Sequence, residues 1–125
     1  MDYLTFKSKF EGAVPVGSML TNPGGVTSAV LSYGSDHVAY KRGNSRIRGS
    51  LADFHASFLK FAGSRVTSSD LKRFRPAVYD SSARPAGHSC NCTFLFLGLH
   101  RMGFASEIEG SGVRGSPFSV DLRVK

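Results

Sequence analysis

Ser50 followed by Leu51, Phe54, Phe58 and Phe61 is the segment that most narrows what this chain can become. The four apolar residues recur at i, i+3, i+7 and i+10, which places them on one stripe of an amphipathic helix. Ser50-Leu51-Ala52-Asp53 opens it as a capping box, with Asp where Glu or Gln is usual. Gly63 is a natural stop. One such helix cannot bury its own stripe, so the rest of the 125 residues must supply a second layer. The material is there: 41% of the residues are apolar and ten are Phe. A chain of this length buries roughly two-thirds of its unfolded surface without metals or crosslinks. We therefore expect one domain over 1–125.

The first half reads as β-structure. Residues 1–27 show only a mixed stretch from Met1 to Phe10 and a strong turn at Asn22-Pro23-Gly24-Gly25. Ser28 to Tyr33 is strand-like, and Gly34-Ser35-Asp36 turns the chain. His37 to Arg42 returns, with Val38 and Tyr40 on one face, and Gly43-Asn44-Ser45 turns it again. Arg46-Ile47-Arg48 then alternates, which puts both arginines opposite Ile47. The expectation for 1–49 is a small antiparallel meander.

After the Phe-rich helix, Val66-Thr67-Ser68-Ser69-Asp70 signals a second helix start, and Pro76 limits its length. Residues 79–89 form a polar connector. From about Ser89 to Met102 a third helix lines up Cys92, Leu95, Phe96, Leu99 and Met102, with Phe94 and Leu97 outside that face, and Gly103 ends it. A hairpin follows: Ser106 to Glu109, a loop with Gly110, Gly112 and Gly115, then Phe118, Val120, Leu122 and Val124 alternating with other residues. Helix, short helix, helix and Gly-tipped hairpin over 50–125 resembles the winged helix-turn-helix family in element order. The resemblance implies a third helix that enters the major groove and a wing that touches the backbone. On this chain it points to His88, Ser89, Asn91 and Thr93 at the start of that helix, and to Arg114 at the wing tip. The chain departs from the pattern in its long connector and in the apolar third helix. Phe94 and Leu97 would have to pack on the meander or on a second subunit. The fold class expected is α+β, a β-meander packed on a three-helix winged-helix-like unit with a C-terminal hairpin.

Charge selects the partner. The net charge is +7, yet eleven Lys or Arg and three acids lie between Lys41 and Arg101, so the remaining residues are slightly acidic. Ten of the sixteen basic residues are Arg, whose planar fork suits phosphate and guanine edges. Lys41, Arg42, Asn44, Arg46 and Arg48 form the densest stretch, with no acid inside it; Lys72, Arg73 and Arg75 form a second group. The expected partner is nucleic acid, duplex DNA in the first instance, bound without catalysis; a homodimer would suit the apolar third helix. Two alternatives stand beside it. One is a protein-interaction module or inhibitor whose basic face meets an acidic partner. The other is a small ribonuclease or toxin using His37 and His100.

Cys90 and Cys92 are too close in sequence for an unstrained disulfide and are expected as free thiols in a reducing, cytoplasmic setting. His88-Ser89-Cys90-Asn91-Cys92 lacks the ligand spacing of a zinc site, so no metal and no cofactor is expected. No catalytic residue is assigned and no nucleotide-binding glycine motif occurs. No apolar run suits a membrane helix or a signal core.

Overall fold

The computed structural model describes residues 1–85 and 87–124. It is an α+β fold: a four-stranded antiparallel sheet, helices on one face of it, and a smaller two-stranded sheet.

The chain opens with helix α1 (Tyr3–Ala13), where sequence reading found only a mixed stretch. The Asp2 carboxylate caps it by accepting from the Thr5 N–H. Phe6 and Phe10, one turn apart, bury its inner face. The sheet follows as β1 (Met19–Thr21), β2 (Thr27–Tyr33), β3 (His37–Arg42) and β4 (Ser45–Ser50), in sequence order. Between β3 and β4 the two-residue turn Gly43-Asn44 needs a positive φ at its first position, and Gly43 supplies it at 61°. The register pairs Lys41 with Arg46 and Ala39 with Arg48, so Lys41, Arg46 and Arg48 share the outer face. Val38, Tyr40 and Ile47 point inward and are buried.

Helix α2 (Leu51–Phe61) starts where the sequence predicts, with Ser50 Oγ accepting from the Asp53 N–H. Leu51, Phe54 and Phe58 are buried, and half-buried Phe61 meets the edge of Phe74. Gly49 lets the helix approach the sheet, because a Cβ there would lie 2.6 Å from the Phe54 ring. Gly63, at φ 83°, ends the turn, and β5 (Arg65–Thr67) follows as a strand not anticipated from sequence. Thr67 and Asp70 then form a reciprocal capping box for α3 (Ser68–Phe74). Pro76 does stop α3, but it also occupies the first turn of a further short helix, α4 (Pro76–Tyr79), where its missing N–H costs nothing.

Helix α5 (Cys90–Arg101) is the centre of the molecule. It packs against α1, α3, α4 and β1, and its residues Asn91 to Phe96 are all buried. Phe94, expected outside the core face, is 1% exposed and stacks on Tyr40 of β3 with ring centroids 3.9 Å apart and planes 1° from parallel. The helical stripe drawn from Cys92, Leu95, Phe96, Leu99 and Met102 missed it because α5 is enclosed on more than one side, so no single stripe defines its core face.

The tail folds back as β6 (Ser119–Asp121), which pairs with β5 and also bridges to the segment before it, at Glu109↔Ser119 and Ala105↔Leu122. The expected Ser106–Glu109 strand is reduced to these bridges. Val120 and Leu122 are buried, whereas Val124 is 74% exposed, so the alternation overran the strand by one residue pair. Phe118 lies at the edge of the core rather than inside it.

The stacked pair gives a direct test. Phe94→Ala should destabilise the fold by about 3–5 kcal/mol, the usual loss for a buried Phe. Equilibrium urea unfolding measures it, and a loss below about 1 kcal/mol would return Phe94 to the surface.

Candidate nucleic-acid interface

The structure divides the basic residues singled out by sequence into three groups. Lys41, Arg46 and Arg48 stand on the outer face of β3 and β4, exposed, with Asn44 exposed at the turn between them. Arg42 has the strand parity of Val38 and Tyr40 and falls on the other side. It lines a cavity of about 220 Å³ together with Lys72, Ser68, Ser89, Cys90, Cys92, Thr93, Gly112 and Phe118. The third group is neutralised. Arg73 pairs with Asp70 on its own helix, and Arg75 reaches Asp53 at 3.7 Å while its guanidinium lies over the Phe74 ring. The sequence set Lys72, Arg73 and Arg75 therefore does not act as one cationic face, because a helical turn aims neighbours in different directions.

No ion pair involves Lys41, Arg42, Arg46, Arg48 or Lys72 among the described residues. The contrast with Arg65 is clear. Its guanidinium bonds Glu109, Asp121 and Ser119 at once and clamps β5, β6 and the loop before them into one unit. Arg65 is paired with carboxylates; the cations of the β3–β4 hairpin are not.

Arg114 lies exposed at the hairpin tip, in a tight turn closed by the Ser116 N–H donating to the Val113 carbonyl. His88 is in the connector rather than on α5, and it shares a depression with His37, Arg46 and Arg48 beside the edge strand β4. His37 and His100, the pair considered for acid–base chemistry, line different depressions; His100 Nδ1 is 3.0 Å from the Ala105 carbonyl oxygen. His55 packs at a tilt against the Phe6 ring and its Nε2 lies 2.8 Å from the Met1 carbonyl oxygen, a structural place.

The start of α5 requires the main correction. Asn91 is fully buried: its Oδ1 accepts from the Tyr40 hydroxyl at 2.7 Å and its Nδ2 donates to the Val78 carbonyl at 3.0 Å. Thr93 is buried too, its hydroxyl turned back to the Cys90 carbonyl. With Phe94, Leu95 and Phe96 also interior, this part of the helix presents no row of polar side chains to base edges. The winged-helix resemblance points to Asn91 and Thr93 as readers; here Tyr40 and the Val78 carbonyl enclose Asn91, and Thr93 turns its hydroxyl back to its own helix. Ser89, half-buried, remains at the cavity mouth, with its N–H donating to Ser81 Oγ.

Cys90 and Cys92 are both free thiols. Both line the cavity, Cys90 half-buried and Cys92 buried. No group of three or more His, Cys, Asp or Glu close enough to hold a metal occurs among the described residues. Nor is any described helix long and apolar enough to cross a membrane.

Burial pushes the Cys92 thiol up from its ordinary 9.0 to about 12, against the pull of the Lys72 cation. Burial raises the Tyr40 and Tyr79 phenols in the same sense. A folded value above the unfolded one means that the stabilising contribution is whole below the unfolded pKa and is lost as pH rises toward the folded one. We therefore expect the urea midpoint to fall from about pH 9 upward, with the tyrosines adding to the loss above about pH 10. In Cys92→Ala the first part of that fall should disappear and the onset move toward pH 10. An identical pH profile in the variant would show that the thiol ionises freely in the native state.

Comparison with known protein families, curated proteins and solved structures finds no match to this chain. The function must be argued from the side chains alone.

Proposed function

We propose that the protein binds nucleic acid without catalysis, with duplex DNA as its first partner. The observation that carries the reading is the uncompensated charge on β3 and β4: Lys41, Arg46 and Arg48 on one exposed sheet face, with no acidic partner among the described residues. Leaving three cations open in register favours a polyanionic surface.

The element order also supports the reading. Helix α2, strand β5, helices α3, α4 and α5, and a last strand, β6, that pairs with β5 resemble a winged helix-turn-helix unit with one extra short helix. In this proposal the usual division of labour changes. The buried start of α5 serves as a core strut, and contact passes to the β3–β4 face, to Arg114 on the hairpin tip and to the cavity holding Arg42 and Lys72. Such contacts go to phosphates, so they position the protein on a duplex with little choice among sequences.

Arg46 and Arg48, two residues apart on one strand face, lie about 6–7 Å apart, close to the phosphate spacing along a strand. Replacing both with Ala removes two phosphate contacts and should reduce the slope of log K against log salt by about 1.8 on duplex DNA. Fluorescence anisotropy at several salt concentrations measures this on duplexes of unrelated sequence, with circular dichroism to verify folding. Equal weakening on all sequences is expected. Affinity and slope both unchanged would take the hairpin out of the interface, and salt-independent or absent binding in the wild type would remove the nucleic-acid reading itself.

A further inference from the structure

The cavity beside α5 holds a feature that the sheet face does not. Arg42, at the end of β3, and Lys72, on α3, come from segments thirty residues apart and line the same half-open cavity. Both are half-buried, and neither forms an ion pair among the described residues. Two half-buried cations lining one space offer an anion that enters it charge from two sides. Asp80 feels the Lys72 charge, but its carboxylate is held by the hydroxyl and N–H of Ser82 and makes no ion pair with the lysine.

The rest of the lining suits a small oxyanion. Ser68 Oγ forms no hydrogen bond among the described residues, and Ser89 Oγ accepts a hydrogen bond from the Ser81 hydroxyl while keeping its own hydrogen to donate. In the first turn of α5 the Asn91 and Cys92 N–H groups are engaged by the His88 and Ser89 carbonyls, while the Cys90 N–H forms no hydrogen bond among the described residues. Recognition falls chiefly to side chains: two cations and two hydroxyls. Phe118 and Gly112 complete the lining, and the Phe118 ring adds an apolar surface beside the charges. At about 220 Å³ the half-open space has room for a phosphate group.

We infer that this cavity binds one phosphate group, clamped between Arg42 and Lys72 and hydrogen-bonded by Ser68 and Ser89. The identity of the donor molecule rests on the nucleic-acid reading above, in which the group is a strand phosphate; the pocket chemistry is the same for a free phosphate. Cys90 is a reporter built into the wall. It is the accessible thiol of the two, so occupancy should shield it from a small neutral alkylating agent.

The test follows Cys90 alkylation by iodoacetamide in the full chain, with the modified peptide identified by mass. Inorganic phosphate should slow the reaction saturably, about tenfold at ten times its Kd by mass action, whereas chloride at equal ionic strength should not. Arg42→Gln with Lys72→Gln should abolish the phosphate dependence, and Lys72→Gln alone should weaken it if the double variant does not fold. Broadening of the phosphorus-31 signal of phosphate by the wild type, lost in Lys72→Gln, checks binding without relying on the thiol. Protection by chloride as good as by phosphate, or protection that survives in a folded double variant, would overturn the site. So would absence of both protection and broadening. A 5′-phosphorylated duplex that protects better than its 5′-hydroxyl form would identify a strand end as the source; equal protection by both would identify an internal phosphate. Phosphate binding with no duplex binding leaves the cavity standing and removes the nucleic-acid reading, whereas duplex binding with no phosphate effect removes the cavity alone.

Discussion

The rest of the structure depends on how α5 is joined to the sheet. Tyr40 stacks on Phe94 and donates its hydroxyl to Asn91, whose amide in turn reaches the Val78 carbonyl at the end of α4. One side chain on β3 thus ties the sheet, α4 and α5 together through an aromatic face and a fully satisfied buried polar link. Phe10, Phe54 and Phe94 meet one another around this point, so α1 and α2 are anchored to the same place. A second link, between Ser57 and the Tyr79 hydroxyl, holds α2 to α4. No buried side-chain nitrogen or oxygen is left without a partner among the described residues, which is what a polar network inside an aromatic core requires.

That junction also decides where charge can be used. Because α5 is enclosed by helices and sheet, the segment that sequence order would aim at a groove is spent on the core. The cations therefore gather around its first turn instead. The outer sheet face carries Lys41, Arg46 and Arg48, and the cavity on the other side carries Arg42 and Lys72. His88 and Ser89, adjacent in sequence, line the two depressions, one each. In the proposed reading the protein meets its partner with a β-hairpin and a pocket, while the buried helix keeps both in fixed relation.

Much of the local structure was legible because it has short-range causes. Ser50 and the Leu51–Phe54–Phe58 spacing predict α2, the alternation around Ile47 predicts the outward arginines of β4, and Gly43 marks the turn between them. Helix α1 was also within reach, since Tyr3, Phe6, Phe10 and Ala13 repeat the same spacing as the α2 stripe. Intervening polar residues and the lack of a charged first turn made that repeat look mixed. Strand β6 shows in the alternation from Phe118 to Val124, but β5 and its pairing with β6 do not. Strand β5 is three residues long, and the partner that makes it a strand is more than fifty residues away in sequence.

By itself the sequence determined the amphipathic helices, the meander, the turns and the concentration of positive charge, because each follows from side-chain period, backbone freedom or composition over a few neighbours. Only the tertiary structure decided which cations face each other and which are neutralised. Arg42 and Lys72 share a cavity, Arg75 meets Asp53, and Asn91 leaves the surface for Tyr40. Those pairings join residues 22 to 51 positions apart, and they depend on how α5 rotates against the sheet. Nothing in the local pattern specifies that rotation, because α5 is apolar on more than one side; it is set by the fit of Phe94 against Tyr40.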